Sequence, residues 1–301
     1  ILLSLLPGFA ASAKPLDLTQ VSDDANWLMH VDFEAARNSV IGSFILEELE
    51  AKPEALERLT AMTAQFGVDP MAFGNLTMFG NGERKKGIAI MKGGLDADKL
   101  VAFAGKNESL ETTQVGRHQI HSLNQDKRHP VAFAALKNNV VIGGPNAGYV
   151  SQGIKLVKGK GASRAAIGLL GKLHGIIDKP GFISFVDISK ASKFHDLGKH
   201  KHGAAMIKMA QSAGMAIGQA AGELKIVVIV ETNDEETATQ LENMARGMMA
   251  MAALGKQSNP RIAEILERHK VNRDGNTVTV QVGLAIETIK EAIEREMEKN
   301  I

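Results

Sequence analysis

The chain has no cysteine among its 301 residues, one tryptophan, one tyrosine, and almost no net charge, with 35 Lys+Arg against 34 Asp+Glu. Each shortage excludes something. Without thiols there can be no thiol nucleophile, cysteine-ligated zinc, iron–sulfur cluster or disulfide framework, and a chain this long does not need staples to hold a core. A net charge of +1 provides no broad field for gripping nucleic acid or an anionic bilayer. Few aromatics means few platforms on which single-stranded bases could stack, and little for a sugar site to lean on. No stretch reaches the roughly 20 apolar residues of a membrane-spanning helix; the nearest, Ala204 to Ala221, is broken by Lys208, Gln211 and Gln219. The Gly-x-Ser-x-Gly elbow, the Walker phosphate loop, a Gly-x-Gly-x-x-Gly after a strand and His-Glu-x-x-His are all missing.

What is there begins at the front. Ile1 to Phe9 (ILLSLLPGF) is a short apolar run, and Ala11-Ser12-Ala13 puts small residues where a signal peptidase reads, ahead of Lys14-Pro15. Residues 1–13 therefore read as the remnant of a secretory signal peptide, and the remainder as an exported, soluble protein, periplasmic or secreted. A cysteine-free chain suits an oxidising compartment.

Hydrophobic periodicity then predicts a mixed α+β chain. Ala25–Asp32 (ANWLMHVD) reads as a strand ending on an acid, followed by one helix over 33–50 with Val40, Phe44, Leu46 and Leu49 on its buried face. A second helix runs from Pro53 to Phe66, where Gly67 and Pro70 stop it. Leu76–Gly80 and Lys86–Lys92 flank Asn81-Gly82, a hairpin signal. A helix over 96–106, strands at His118–Leu123, Val131–Leu136 and Val140–Gly143, and a helix at Ala147–Val157 follow. The pattern then restarts. Phe182–Asp187 (FISFVD) mirrors Leu28–Asp32 (LMHVD), a helix is expected from Gly203 to Gly222, Leu224–Thr232 is the strongest strand, and Asn233 or Asp234 caps a long helix to Leu254. Pro260 opens a shorter helix, residues 271–283 form a hairpin, and Ile286–Asn300 carries an amphipathic stripe. The expected architecture is two tandem, diverged α+β units with antiparallel sheets and packed helices, spanning 14–178 and 179–301, with parallel βαβ winding as the competitor. The final 107 residues contain no aromatic and seven of the 13 methionines lie between Met206 and Met251, so Ile, Val, Leu, Ala and Met must fill the second core.

The densest set of donor side chains is His195-Asp196-Leu197-Gly198-Lys199-His200-Lys201-His202. Neutral imidazoles at His195, His200 and His202 could hold zinc or copper, although two lysines beside a cation are unfavourable and a solvated loop is the plainer expectation. His118 and His121, three apart on a strand, point to opposite faces. Met244, Met248 and Met251 share one helical face, which reads as core packing before it reads as a soft copper(I) site. Gly214, Gly218 and Gly222 at four-residue intervals imply a close helix contact. Asp32 and Asp187, each ending an equivalent strand, could pair as acid and base but more simply cap the helices that follow.

The apolar leader, Leu28–Asp32 leading into a helix, the Leu76–Gly80 and Lys86–Gly93 strands before the 96–106 helix, and the His118–Leu123 and Val131–Gly143 strands resemble uncharacterised secreted bacterial proteins with a duplicated α+β domain of unknown function. The resemblance is best over residues 20–160. It implies export and a two-part fold, and it brings no catalytic residue with it. The sequence is thus read as a non-enzymatic, exported module that binds a protein or small-molecule partner in the cell envelope, with no nucleic acid, no membrane span and no cofactor. The alternatives are a zinc or copper protein using His195, His200 and His202, helped by Met206 and Met209, and a hydrolase with unrecognised groups.

Overall fold

The computed structural model describes residues 15–83, 86–107, 109–123, 131–190, 209–254 and 266–299. The leader, the His195–His202 cluster, Met206, His129 and the helix expected at Pro260 fall outside them. The elements, in chain order, are a 3₁₀ turn (Leu18–Gln20), β1 (Trp27–Asp32), α1 (Phe33–Arg37), α2 (Val40–Glu50), α3 (Pro53–Phe66), β2 (Val68–Gly80), β3 (Ile88–Leu95), α4 (Ala97–Ala104), β4 (Leu110–Val115), β5 (His118–Leu123), β6 (Val131–Leu136), β7 (Val140–Gly144), α5 (Ala147–Val157), α6 (Gly168–His174), β8 (Phe182–Asp187), β9 (Ala210–Ala220), β10 (Glu223–Thr232), α7 (Glu235–Leu254), β11 (His269–Asp274), β12 (Thr277–Ala285) and α8 (Ile286–Lys299).

The twelve strands of the described residues join one sheet, in the order β11-β12-β10-β9-β8-β1-β2-β3-β7-β6-β5-β4. Every ladder is antiparallel, so parallel winding is ruled out and the fold is α+β. Reading outward from the centre, β1-β2-β3-β7-β6 in one direction matches β8-β9-β10-β12-β11 in the other. The two halves meet edge to edge through β1 and β8, with Leu28 opposite Phe185 and His30 opposite Ile183. They repeat in detail as well: Asp32 accepts a hydrogen bond from the backbone N–H three residues on, at Ala35, and Asp187 does so from Lys190.

The strands alternate their side chains between two faces. On the inner face Leu28, Phe79, Ile90, Ile142, Ile183, Val227 and Ile229 are almost completely buried. The 3₁₀ turn, α5 and α6 cover them, inserting Val150, Leu156, Leu169, Leu173 and Ile177 to make one continuous core. Each such side chain taken fully from water contributes about 1.5–3 kcal/mol. A second, smaller core forms on the outer face, where α7 lays Ala238, Leu241 and Ala245 on Val271 and Val278. It contains no aromatic, as the composition requires.

Three expectations are corrected. Residues 210–220 form a strand, not part of a helix. Ser212, Gly214, Ala216 and Gly218 alternate with Ala213, Met215 and Ile217, and the small set faces inward. A Cβ at Gly214 would lie 2.1 Å from Leu169 Cδ2 and 3.1 Å from the Ser184 carbonyl, so small residues at four-residue spacing let a helix press on a strand. Gly222 belongs instead to the two-residue turn Ala221-Gly222, with φ of 53° and 77°, which suits a hairpin of right-handed twist. The helix expected over 33–50 breaks at Asn38-Ser39, where the Ser39 hydroxyl caps α2 through the Gly42 N–H, and Val40 is 46% exposed rather than buried. The methionines Met244, Met248 and Met251 are also exposed, at 36%, 57% and 74%, because α7 seats its alanines and Leu241 on the sheet and turns this stripe outward. The sequence reading assigned no element to β4, which has only Leu110 and Val115 as apolar residues and owes its pairing to β5.

Candidate functional site

The outer face differs from the inner one in a way that points to a site. Ile226, Ile217, Phe182, Val31, Leu76, Met91 and Val141 are direct cross-strand neighbours across seven strands. One row along, Val228, Met215, Ser184, Met29, Met78 and Ala89 do the same. Ser184 is the one polar side chain in these thirteen, yet every one of them is only half-buried among the described residues. Apolar surface organised in rows but not closed over is what a docking surface looks like, and methionine side chains adapt readily to a guest.

At one end this surface deepens into a cavity of about 990 Å³, at the upper end of the roughly 300–1,000 Å³ usual for small-molecule sites. Phe182, Ile217 and Leu224 line it from the sheet, and Val40, Ile41, Ile45 and Leu46 from α2. Its geometry follows from local chemistry. Asp32 stops β1 and caps α1. Ser39 then restarts the helix, and Gly42 lets α2 fold tightly against α1, since a Cβ there would meet the Ala36 carbonyl oxygen at 2.0 Å. The α2 terminus is pinned to the sheet because the Val40 N–H donates to Gln219 Oε1 at 2.8 Å. On its other side α2 packs against α8, with Lys290 Nζ 5.4 Å from the centre of the Phe44 ring. Val40 and Ile45, two of the more exposed large apolar residues of the molecule, both face this space.

The charges on the wall are of one sign. Arg37 and Lys179 are the charged residues that line the cavity, and Asp32, Glu34 and Asp178 stay off it. Nothing in the sequence analysis singled these residues out. The signal that could have found them was Ile45, an apolar residue left off the face assigned as buried on the 33–50 segment.

The residues singled out from sequence are dispersed. His195, His200 and His202 lie outside the described residues. His118 meets Lys158, the residue that follows α5, and burial and that cation both lower its pKa. His121 sits on the outer face, its Nδ1 3.0 Å from Thr112 Oγ1 and its ring 5.2 Å from Phe133, and burial lowers its pKa. Among the described residues no three His, Asp or Glu side chains are grouped to hold a metal. Asp32 and Asp187 end antiparallel neighbours at opposite ends, about 20 Å apart at 3.4 Å per residue, so they cannot share a substrate. Burial pushes the Asp187 carboxyl up, but hydrogen bonds from Ser189 and Lys190 and the Lys190 charge outweigh it and leave its pKa lowered.

One functional-looking group turned up that the sequence reading did not name. His30 lies on the inner face, 2% exposed, with Nδ1 2.9 Å from Thr77 Oγ1 and a buried Nε2 that has no hydrogen-bond partner among the described residues. Burial, then the charges of Lys92 and His174, lower its pKa to about 4. It is therefore neutral at pH 7, an element of the core rather than a titrating catalyst.

No described helix is long and apolar enough to cross a membrane. No protein family matches the chain, and no curated protein matches it. Solved structures do. Crystal form I of TP0453 aligns with a TM-score of 0.51 at 9% identity, over 93% of this chain and 97% of that one. Crystal form III aligns with a TM-score of 0.50 at 8% identity, over 93% and 98%. At such identities the likeness is one of fold, and it extends over nearly the whole of both chains.

Proposed function

We propose that this protein is a non-enzymatic binding module of the cell envelope, and that it binds an apolar small molecule in the cavity between α2 and the outer face of the sheet. The observation that carries the reading is the cavity itself: about 990 Å³, lined largely by aliphatic side chains, and continuous with apolar rows that cross the sheet. Burying a guest against Phe182, Ile217, Val40 and Ile45 supplies the hydrophobic driving force that solvent-facing apolar groups otherwise lack. The envelope address rests on the apolar run Ile1–Phe9 and the Ala11-Ser12-Ala13 ending; an amino terminus at Lys14 in protein recovered from its host would be the matching result.

The test is a fluorescence titration of the full chain with N-phenyl-1-naphthylamine, a neutral probe that brightens in apolar surroundings. Saturable binding to one site is expected. The double substitution Val40→Gln with Ile45→Gln should weaken it at least about fivefold, while the melting temperature stays within a few degrees because both positions are already exposed. Probe binding that never saturates, or that ignores the double substitution, removes the cavity as the site.

A further inference from the structure

We infer that the ligand of this cavity is a single-chain amphiphile with a carboxylate head, a free long-chain fatty carboxylate, and that Arg37 and Lys179 select the head. The inference rests on the cavity reading above and adds the chemistry of one end of the guest. Three observations carry it. First, the wall is polarised: aliphatic side chains of α2 and Phe182, Ile217 and Leu224 of the sheet make the bulk of it, while its charges are two cations and no anion. Second, the cations are not already neutralised, since among the described residues neither Arg37 nor Lys179 pairs with a carboxylate. Third, Arg37 closes α1 immediately before Asn38 and Ser39, so the guanidinium and the first turn of α2 line the same wall. The first turn of a helix carries partial positive charge and favours an anion beside it.

A half-buried guanidinium is a better match for one carboxylate than for a neutral hydroxyl, because its planar fork makes two parallel charge-assisted hydrogen bonds. Lys179, being exposed, adds a long-reaching second charge at the mouth. A cationic head would meet like charge and no partner. The tail would lie on the apolar rows, where Ile217, Phe182 and Val31 are successive neighbours leading away from the cavity. A bilayer presents its heads in a plane and hides its tails; a cavity of this kind takes one molecule at a time, which is why the free carboxylate is the occupant named.

The experiment is isothermal calorimetry on the full chain with three guests of equal tail, tetradecanoate, tetradecanol and tetradecyltrimethylammonium, each below its aggregation concentration. Tetradecanoate should bind about tenfold or more tighter than tetradecanol, the range expected of one hydrogen-bonded charge pair, and the ammonium guest weakest. Arg37→Gln should erase most of that preference while leaving tetradecanol affinity within about twofold, and Arg37→Glu with Lys179→Glu should make the ammonium guest the tightest of the three. Equal affinity of wild-type protein for carboxylate and alcohol overturns the head-group inference and leaves the cavity reading standing. Failure of all three guests to bind sinks both. A carboxylate preference that survives Arg37→Gln and the double charge reversal also overturns the inference, because the selecting charges would then lie elsewhere.

Discussion

The two faces of the sheet are made of the same residue types and are treated in opposite ways. On the inner face Ile90, Ile183, Val227 and Ile229 are buried to within 1% of completion under α5, α6 and their flanking segments. On the outer face Val31, Phe182, Ile217 and Val228 alternate with them along the same strands and stay half-buried among the described residues. The strands therefore read as nearly continuous apolar runs, LKIVVIVET above all, which is how a sheet covered on both faces reads. The difference lies in the second layer. Helices with dense apolar stripes, Leu169, Leu170 and Leu173 among them, cap one face. At the other, α7 buries Ala238, Leu241 and Ala245 over β11 and β12 only, while α1 and α2 contain no buried residue at all. Stability resides on the first face and binding capacity on the second.

That division gives its largest consequence at Leu173, which is 0% exposed and whose Cδ1 would lie 3.0 Å from a Cβ at Gly214. Leu173→Ala should cost about 3–5 kcal/mol, the upper part of the range for deleting a buried leucine where the surroundings cannot collapse, read as a fall in the urea midpoint at unchanged slope. The glycines opposite it have no side chain, and Ala216 only a methyl, with which to fill the space.

The next effect belongs to His30. Its folded pKa is lowered to about 4 from an ordinary value of 6.5, so the unfolded chain takes up the proton first. Its contribution is intact above pH 6.5, is lost as pH falls from 6.5 toward 4, and does not change further below that, for a total of about 3 kcal/mol. His30→Leu removes the group, and the wild-type minus variant difference in unfolding free energy should lose that amount between pH 7 and pH 4. A difference that is flat across this range would mean that burial and the Lys92 charge do not hold the imidazole neutral.

How much of this was legible in the sequence depended on whether local chemistry or a distant partner decides. Pro53, Gly67 and Asn146 set helix limits by themselves, and α3 and α5 begin and end where periodicity places them. Strands with strong β-formers, β8 and β10, were equally plain. The 210–220 segment was not, because its glycines and alanines satisfy a helical spacing of four and a strand spacing of two at once; what decides is that Leu169, Leu173 and Ile177 need small residues opposite them, a fact carried by another part of the chain. Met244, Met248 and Met251 share a helical face, as their spacing requires, but spacing cannot say which face meets the sheet. The cavity was invisible for the same reason. Arg37, Ile45, Lys179 and Ile217 are spread over 180 positions, and only the β1–β8 junction and the reversal of α2 at Gly42 bring them together.

The smallest predicted effect tests the comparison most directly. Met215 lies on β9 between two inward-facing positions that are buried, Gly214 and Ala216, and is itself half-buried on the outer face. If that face is adaptable binding surface rather than closed core, Met215→Ala should cost about 1 kcal/mol or less, since a side chain that keeps part of its water contact recovers only part of the transfer energy and leaves no sealed cavity behind. Thermal melts of this variant beside Leu173→Ala measure the ratio, expected at one third or below. A ratio near one would mean that the outer face is as tightly packed as the inner, and the apolar rows would then be core shared with a covering layer rather than a floor waiting for a guest.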